Sequence, residues 1–353
     1  MNIIHVVSSL NTGGAEKFVK NISAQQKSLG HNVIVISFGC KRDTLQNLIE
    51  AGGIDVVNLT GGLFSRLKKL YYELTKADVA HIHSPAVIRA ILPISPFLLK
   101  HNIVYTIHGE VDPPEKLLSF AHKVALVYLK RIVAVSESSR ESVTSRYGWN
   151  ISKVKVIKNG VEIKEAKKTD TIIFPIQLGI VSRLIPLKNI SLLFDALEIM
   201  KVNEADKFSV NIFGSGPDLE NIKTKAYRID DKVKTCFWGN VVDENAIYGK
   251  VDLLIMCSDS EGLPMSILEA MANKIPVVST NVGAIPNVIT PEHGWLYNRG
   301  KAQELAEILK SIVRDVDKIR IYGIKSREFV SEHYSIVKVE KEYNVIYAGK
   351  PNG

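Results

Sequence analysis

Residues 251–280 limit the possible folds more than any other stretch. Val251 to Cys257 is an apolar run with the length of a buried strand. A polar turn, Ser258 to Leu263, leads to Pro264, whose missing N–H suits the first turn of a helix. Met265, Leu268, Met271 and Ala272 then recur at helical spacing as far as Asn273, and Pro276 to Thr280 reads as the next strand. A strand, a polar loop, a helix and a second strand form the unit from which parallel α/β sheets are built.

The chemistry of this unit lies in its loop and first helical turns. Gly262 and Leu263 set backbone N–H groups at a helix start, where the helix dipole favours phosphate oxygens. Glu261 falls just outside the helix, and Glu269 about five residues inside it, roughly 7–8 Å further along the axis. Two carboxylates flanking a phosphate site can each accept hydrogen bonds from a pair of sugar hydroxyls, which is the layout of ribose, diphosphate and sugar. The bland alternative is a pair of solvated helix charges. The Glu-Gly-Leu-Pro turn and the flanking strands argue against it.

Glu261-Gly-Leu-Pro, Glu269-Ala-Met-Ala, Pro276-Val-Val and Gly283 together resemble the Glu-x7-Glu signature of retaining glycosyltransferases of family 4. The resemblance extends over nearly the whole chain. It implies a GT-B fold, with two Rossmann-like α/β domains whose parallel sheets face each other across a cleft. In such enzymes the first glutamate binds the donor sugar and the second the ribose, roles that pass to Glu261 and Glu269. Pro264 joins the donor set with Gly262 and Leu263.

Length and composition suit that reading. A chain of 353 residues, 46% apolar, supports two ordinary domains. Cys40, Cys236 and Cys257 are widely separated and odd in number, so they suggest a reducing, cytoplasmic setting. The opening residues read as a strand and not a signal peptide, and no apolar run is long enough to span a membrane. The net charge of +8 lies wholly in residues 1–162, with 20 Lys and Arg against 12 Asp and Glu; the rest has 25 of each. Basic runs interleaved with aromatics are missing, so no nucleic-acid partner is expected. An anionic membrane surface is the alternative to ordinary surface scatter. Leu67, Leu70, Tyr71 and Leu74 form one side of a helix whose other side carries Arg66, Lys68 and Lys69. Glu115 to Lys130 reads as a second basic helix, with Leu117, Leu118, Ala121, Val124, Ala125 and Tyr128 on its apolar face.

The first domain is expected over 1–162, the second over 171–336, with Glu162 to Asp170 as linker. A last helix, 337–347, crosses back in GT-B proteins. Gly13 and Gly14 follow the first strand and allow close approach of a ligand to backbone. By resemblance they meet the donor diphosphate, with Asn11 and Gly14 near the acceptor. His81 and His83 share one strand face; a metal would want a third ligand, and none is evident. His83 is expected to face the substrate, His81 to pack, and His108, at the end of another strand, to position substrate with a possible proton-handling role. Arg183 and Lys188 lie five apart in a proline-bearing loop, where two cations can neutralise a leaving diphosphate. Family 4 enzymes have this pair and need no divalent metal, so no cofactor is expected. Gly214 and the loop at Val241 belong, by resemblance, beside the nucleotide.

The resemblance thus implies retaining transfer of a sugar from a UDP-sugar to a hydroxyl of a lipid-linked glycan or oligosaccharide. The setting would be bacterial surface polysaccharide or lipopolysaccharide assembly, in the cytoplasm or on the inner face of its membrane. A nucleotide-sugar 2-epimerase of the same fold, or a non-enzymatic sugar-binding protein, stays open as an alternative.

Overall fold

The computed structural model describes residues 1–109, 116–165 and 171–349. The expected chain break at Pro113 and Pro114, residue 115 of the second basic helix and residues 166–170 of the linker lie outside them. The chain divides into two units, Met1–Val161 with Ser335–Gly353, and Glu162–Tyr334.

The first unit is built on seven parallel strands: β1 (Asn2–Val7), β2 (Asn32–Ser37), β3 (Asp55–Asn58), β4 (Val79–Ile82), β5 (Ile103–Ile107), β6 (Leu129–Ala134) and β7 (Val154–Val156). Their order across the sheet is β3-β2-β1-β4-β5-β6-β7. The strands read as near-continuous Val/Ile runs because helices cover both faces. β1 lies between β2 and β4, with Ile3 opposite Val33 on one side and Val79 on the other. The sheet therefore reverses its winding between β1 and β4. The C-terminal helix Ile336–Tyr347 belongs to this unit, and Ile336, Val339, Tyr343 and Ile346 share a core cluster with Phe18 and Ile22 of the first helix, Gly14–Ser28.

The second unit carries six parallel strands: β8 (Ile176–Val181), β9 (Phe208–Phe213), β10 (Thr235–Gly239), β11 (Leu253–Met256), β12 (Val277–Thr280) and β13 (Gly294–Tyr297). Their order is β10-β9-β8-β11-β12-β13, so the winding reverses between β8 and β11. In doubly wound sheets, the crevice beyond the strand ends at such a reversal is where ligands bind.

Some expected boundaries shift. The helix after the Glu261 turn runs Met265–Ala272, with Pro264 as its extended N-cap residue (φ −66°, ψ 128°) and not its first helical one. The N–H groups of Gly262 and Leu263 thus belong to the turn before the helix. In the helix Lys116–Tyr128, the buried face is Ala121, His122, Ala125 and Tyr128, while Leu117 is 55% exposed. The small alanines allow close approach, and His122 stacks on Tyr147 with ring centroids 4.1 Å apart. No helix among the described residues is long and apolar enough to cross a membrane.

Candidate active site

In the second unit, two loops leave the sheet where its winding reverses. One follows β8 and carries Arg183 and Lys188; the other follows β11 and carries Ser258, Asp259 and Glu261. They are tied together by backbone, since Asp259 N–H donates to the Leu187 carbonyl at 2.9 Å. Side chains reinforce the tie. The Lys188 ammonium lies 2.5 Å from Glu261 Oε1, and the Ser258 hydroxyl donates to the same oxygen at 2.6 Å. Both members of the ion pair are largely enclosed, at 15% and 9% side-chain exposure, so solvent screens the pair less than a surface salt bridge. The Asn189 amide donates to Asp259 Oδ1 at 3.3 Å. Arg183, by contrast, is exposed.

Glycines hold these loops in place. Gly283, at φ +54°, sits where an added Cβ would lie 1.7 Å from the Glu261 carbonyl oxygen, and Ala284 N–H donates to the Gly262 carbonyl at 3.2 Å. Gly214, at φ +139°, packs against the other loop, where a Cβ would fall 1.9 Å from the Ser182 carbonyl oxygen. The role of Gly214 in the geometry is thus to let the Arg183 loop lie against the end of β9. Val241 lies in the loop after β10, half-buried.

Glu269 is 1% exposed. The Tyr248 hydroxyl donates to its Oε2 at 2.7 Å. Burial, and then the adjacent carboxylate, push the Tyr248 hydroxyl well above its usual pKa, which keeps it a donor.

In the first unit, four imidazoles gather at the sheet's reversal. His5 on β1 stands opposite His81 on β4. His81 is held by the Tyr347 hydroxyl at Nδ1 (2.6 Å) and by Thr106 Oγ1 at Nε2 (2.7 Å). His5 Nε2 lies 2.8 Å from Gln26 Oε1, and His5 Nδ1 lies 2.8 Å from His83 Nε2. His83 Nδ1 is 2.9 Å from His108 Nε2. Burial drives the His5 pKa down to about 4 and the His108 pKa to about 3, and those of His81 and His83 well below 6.5.

His83 is 3% exposed, and both its ring nitrogens are engaged, by His5 and by His108. The third imidazole that the His81/His83 spacing lacked is His5, whose ring nitrogens come within 4.8 Å of theirs. On all three rings each nitrogen already has a protein partner. Asn11 and Gly14 are exposed beside the start of the first helix, and Gly13 is its N-cap residue.

The family description "Glycosyltransferase Family 4" matches residues 12–165, and "Glycosyl transferases group 1" matches residues 163–329. The chain belongs to the family 4 glycosyltransferases. This glycosyltransferase is 23% identical over 313 residues to the capsular polysaccharide biosynthesis glycosyltransferase CapM of Staphylococcus aureus, covering 81% of each chain. It is 30% identical over 139 residues to N-acetyl-alpha-D-glucosaminyl L-malate synthase of Bacillus anthracis, a match over 38% of this chain and 36% of that relative. Among solved structures, HepE of Anabaena in complex with UDP-glucose superposes with a TM-score of 0.85 at 22% identity, over 99% of this chain and 100% of HepE. The fold is GT-B.

Proposed function

We propose that this glycosyltransferase moves a sugar from a nucleotide diphosphate, a UDP-sugar by likeness to its relatives, to an acceptor hydroxyl with retention of anomeric configuration. The acceptor would be a lipid-linked glycan or oligosaccharide in surface polysaccharide or lipopolysaccharide assembly; a relative named for capsular polysaccharide biosynthesis supports that setting. The observation that carries the reading is the meeting of Lys188 and Glu261 at the reversal point of the second sheet.

The roles follow from charge and place. Lys188 and Arg183 hold the diphosphate and offset its charge as it leaves, helped by the backbone of Gly262 and Leu263 and by the helix that begins after Pro264. Two cations at this loop can do this work without a divalent metal. Glu261 accepts from sugar hydroxyls and Glu269 from the ribose. Gly214 and Val241 lie beside the nucleotide, and Gly13 and Gly14 present backbone to the diphosphate. Glu261 Oε1 is already held by Lys188 and Ser258, an arrangement suited to hydrogen bonding more than to covalent attack. Departure and attack on the same face of the sugar is therefore the favoured route to retention. Asn11, Gly14 and His108 of the first unit form the acceptor set.

The first unit also supports peripheral contact with an anionic membrane at the cytoplasmic face. Leu63 and Phe64 are 60% and 83% exposed beside Arg66, Lys68 and Lys69. Leu117, Phe120 and Val127 are 55%, 57% and 68% exposed along a helix bearing Lys116 and Lys123.

Slow hydrolysis of a panel of UDP-sugars, followed by NMR with and without EDTA, tests the assignment. We expect one or a few donors to release UDP and the α-anomer, unaffected by chelation. Interconversion of sugars without release would favour a 2-epimerase, binding without turnover a sugar-binding protein, and loss with EDTA would refute the metal-free mechanism.

A further inference from the structure

The buried imidazoles of the first unit are ordered by hydrogen-bond direction. Gln26 Oε1 can only accept, so the nitrogen 2.8 Å away, His5 Nε2, carries a proton. A neutral ring has one N–H, so His5 Nδ1 is an acceptor, and His83 Nε2, at 2.8 Å, must donate to it. His83 Nδ1 is then an acceptor in turn, and His108 Nε2, at 2.9 Å, donates. One carboxamide oxygen on the first helix thereby fixes the tautomer of three rings in series. The opposite face of the same amide is consistent with this sense, since Gln26 Nε2 donates to the Tyr347 hydroxyl at 3.4 Å.

We infer that Gln26, His5 and His83 are positioning residues that hold His108 as the neutral Nε2–H tautomer, its Nδ1 left without the proton. This deepens the proposed function and rests on its placement of His108 against substrate. Nδ1 of His108 is buried, and the Asn159 side chain is its neighbour, raising the ring's proton affinity against the larger lowering by burial. The Phe18 ring, its centroid 5.2 Å from that of His108, helps fix the imidazole plane.

Neutrality of the series follows from its surroundings. His5, His81 and His83 are 0%, 0% and 3% exposed, and the groups acting on the four rings are other imidazoles and the carboxamides of Gln26 and Asn159. β5 contributes the Thr106 hydroxyl, and the C-terminal helix contributes the Tyr343 and Tyr347 hydroxyls. Glu340 on that helix is felt at Tyr347. Apart from Glu340, whose carboxyl burial pushes upward in pKa toward the neutral acid, a cation shared along the rings would have no charge partner among these groups.

Two-bond 1H–15N correlation on the ligand-free, full-length protein reads each tautomer directly. At neutral pH we expect His5, His83 and His108 all as Nε2–H rings, with none of them an imidazolium. Gln26→Leu removes the accepting oxygen at nearly constant volume; His108 should become a mixture of tautomers, with kcat reduced about tenfold or more and the donor KM little changed. His108 as an Nδ1–H ring or an imidazolium in the unaltered chain would overturn the inference, whether or not the variants fold. So would an unchanged His108 in Gln26→Leu, or stoichiometric Zn2+ binding that shifts all three rings. The spectra need no turnover, so their failure is separate from failure to find glycosyl transfer.

Discussion

Glu261 and Lys188 are each assigned a ligand group, yet they bind each other. The pair is enclosed enough that removing either partner leaves a charge poorly compensated, whereas removing both does not. We expect Lys188→Ala to lower kcat by about 100- to 1,000-fold, on the scale of a lost oxyanion donor, and Glu261→Gln by a similar factor. The double variant should be markedly less impaired than the product of the two, because the sites share an interaction. Steady-state kinetics of the four proteins measures this; strict multiplicativity would mean that the two residues act independently. Each residue was legible from its own short motif at a strand end. Their pairing was not, because they are 73 residues apart and only the strand order brings their loops together. His5 was hidden for the same reason. It reads as one more position in an apolar strand, and its partner His83 lies 78 residues away.

At the scale of elements, strand periodicity and Gly or Pro punctuation marked the sheets and their order of appearance well. Helix edges were less legible. Pro264 caps its helix and does not begin it, a difference of one backbone ψ angle that composition does not fix. On Lys116–Tyr128 the expected apolar face holds at Ala121, Ala125 and Tyr128 but not at Leu117, because His122 takes a place on the buried side while Leu117 turns outward. Leu117, Phe120 and Val127 turn outward beside lysines and, with the exposed Leu63 and Phe64, make up the surface proposed to meet an anionic membrane. Flotation with liposomes should show binding that requires anionic lipid and falls with salt. Phe64→Ser together with Val127→Ser should weaken it several-fold, and indifference to lipid charge would remove the membrane from the proposal.

The molecule as a whole carries a stability signature from its imidazole cluster. The folded-state pKa values of His5, His81, His83 and His108 lie below that of an unfolded histidine, so the unfolded chain binds protons that the folded chain excludes. The stabilisation is fully present above about pH 6.5 and is lost as pH falls toward the folded values, about 4 for His5 and about 3 for His108. Each excluded proton steepens the loss by about 1.4 kcal/mol per pH unit. Denaturant melts from pH 7 to 4.5 should therefore show net uptake of more than two protons on unfolding. A flat profile would mean that the rings are charged or exposed. Both doubly wound units were readable from the order of strand and helix patterns, and the reversal points, which only the folded strand order defines, turn those patterns into sites.

The claim on which the rest depends is that the loops after β8 and β11 grip the nucleotide diphosphate of the donor. A crystal structure with UDP tests it most directly. We expect the diphosphate against Arg183, Lys188 and the backbone at Gly262 and Leu263, with the ribose toward Glu269 and the Lys188–Glu261 contact opened or shared. UDP bound away from residues 183–188 and 261–269 would contradict the account.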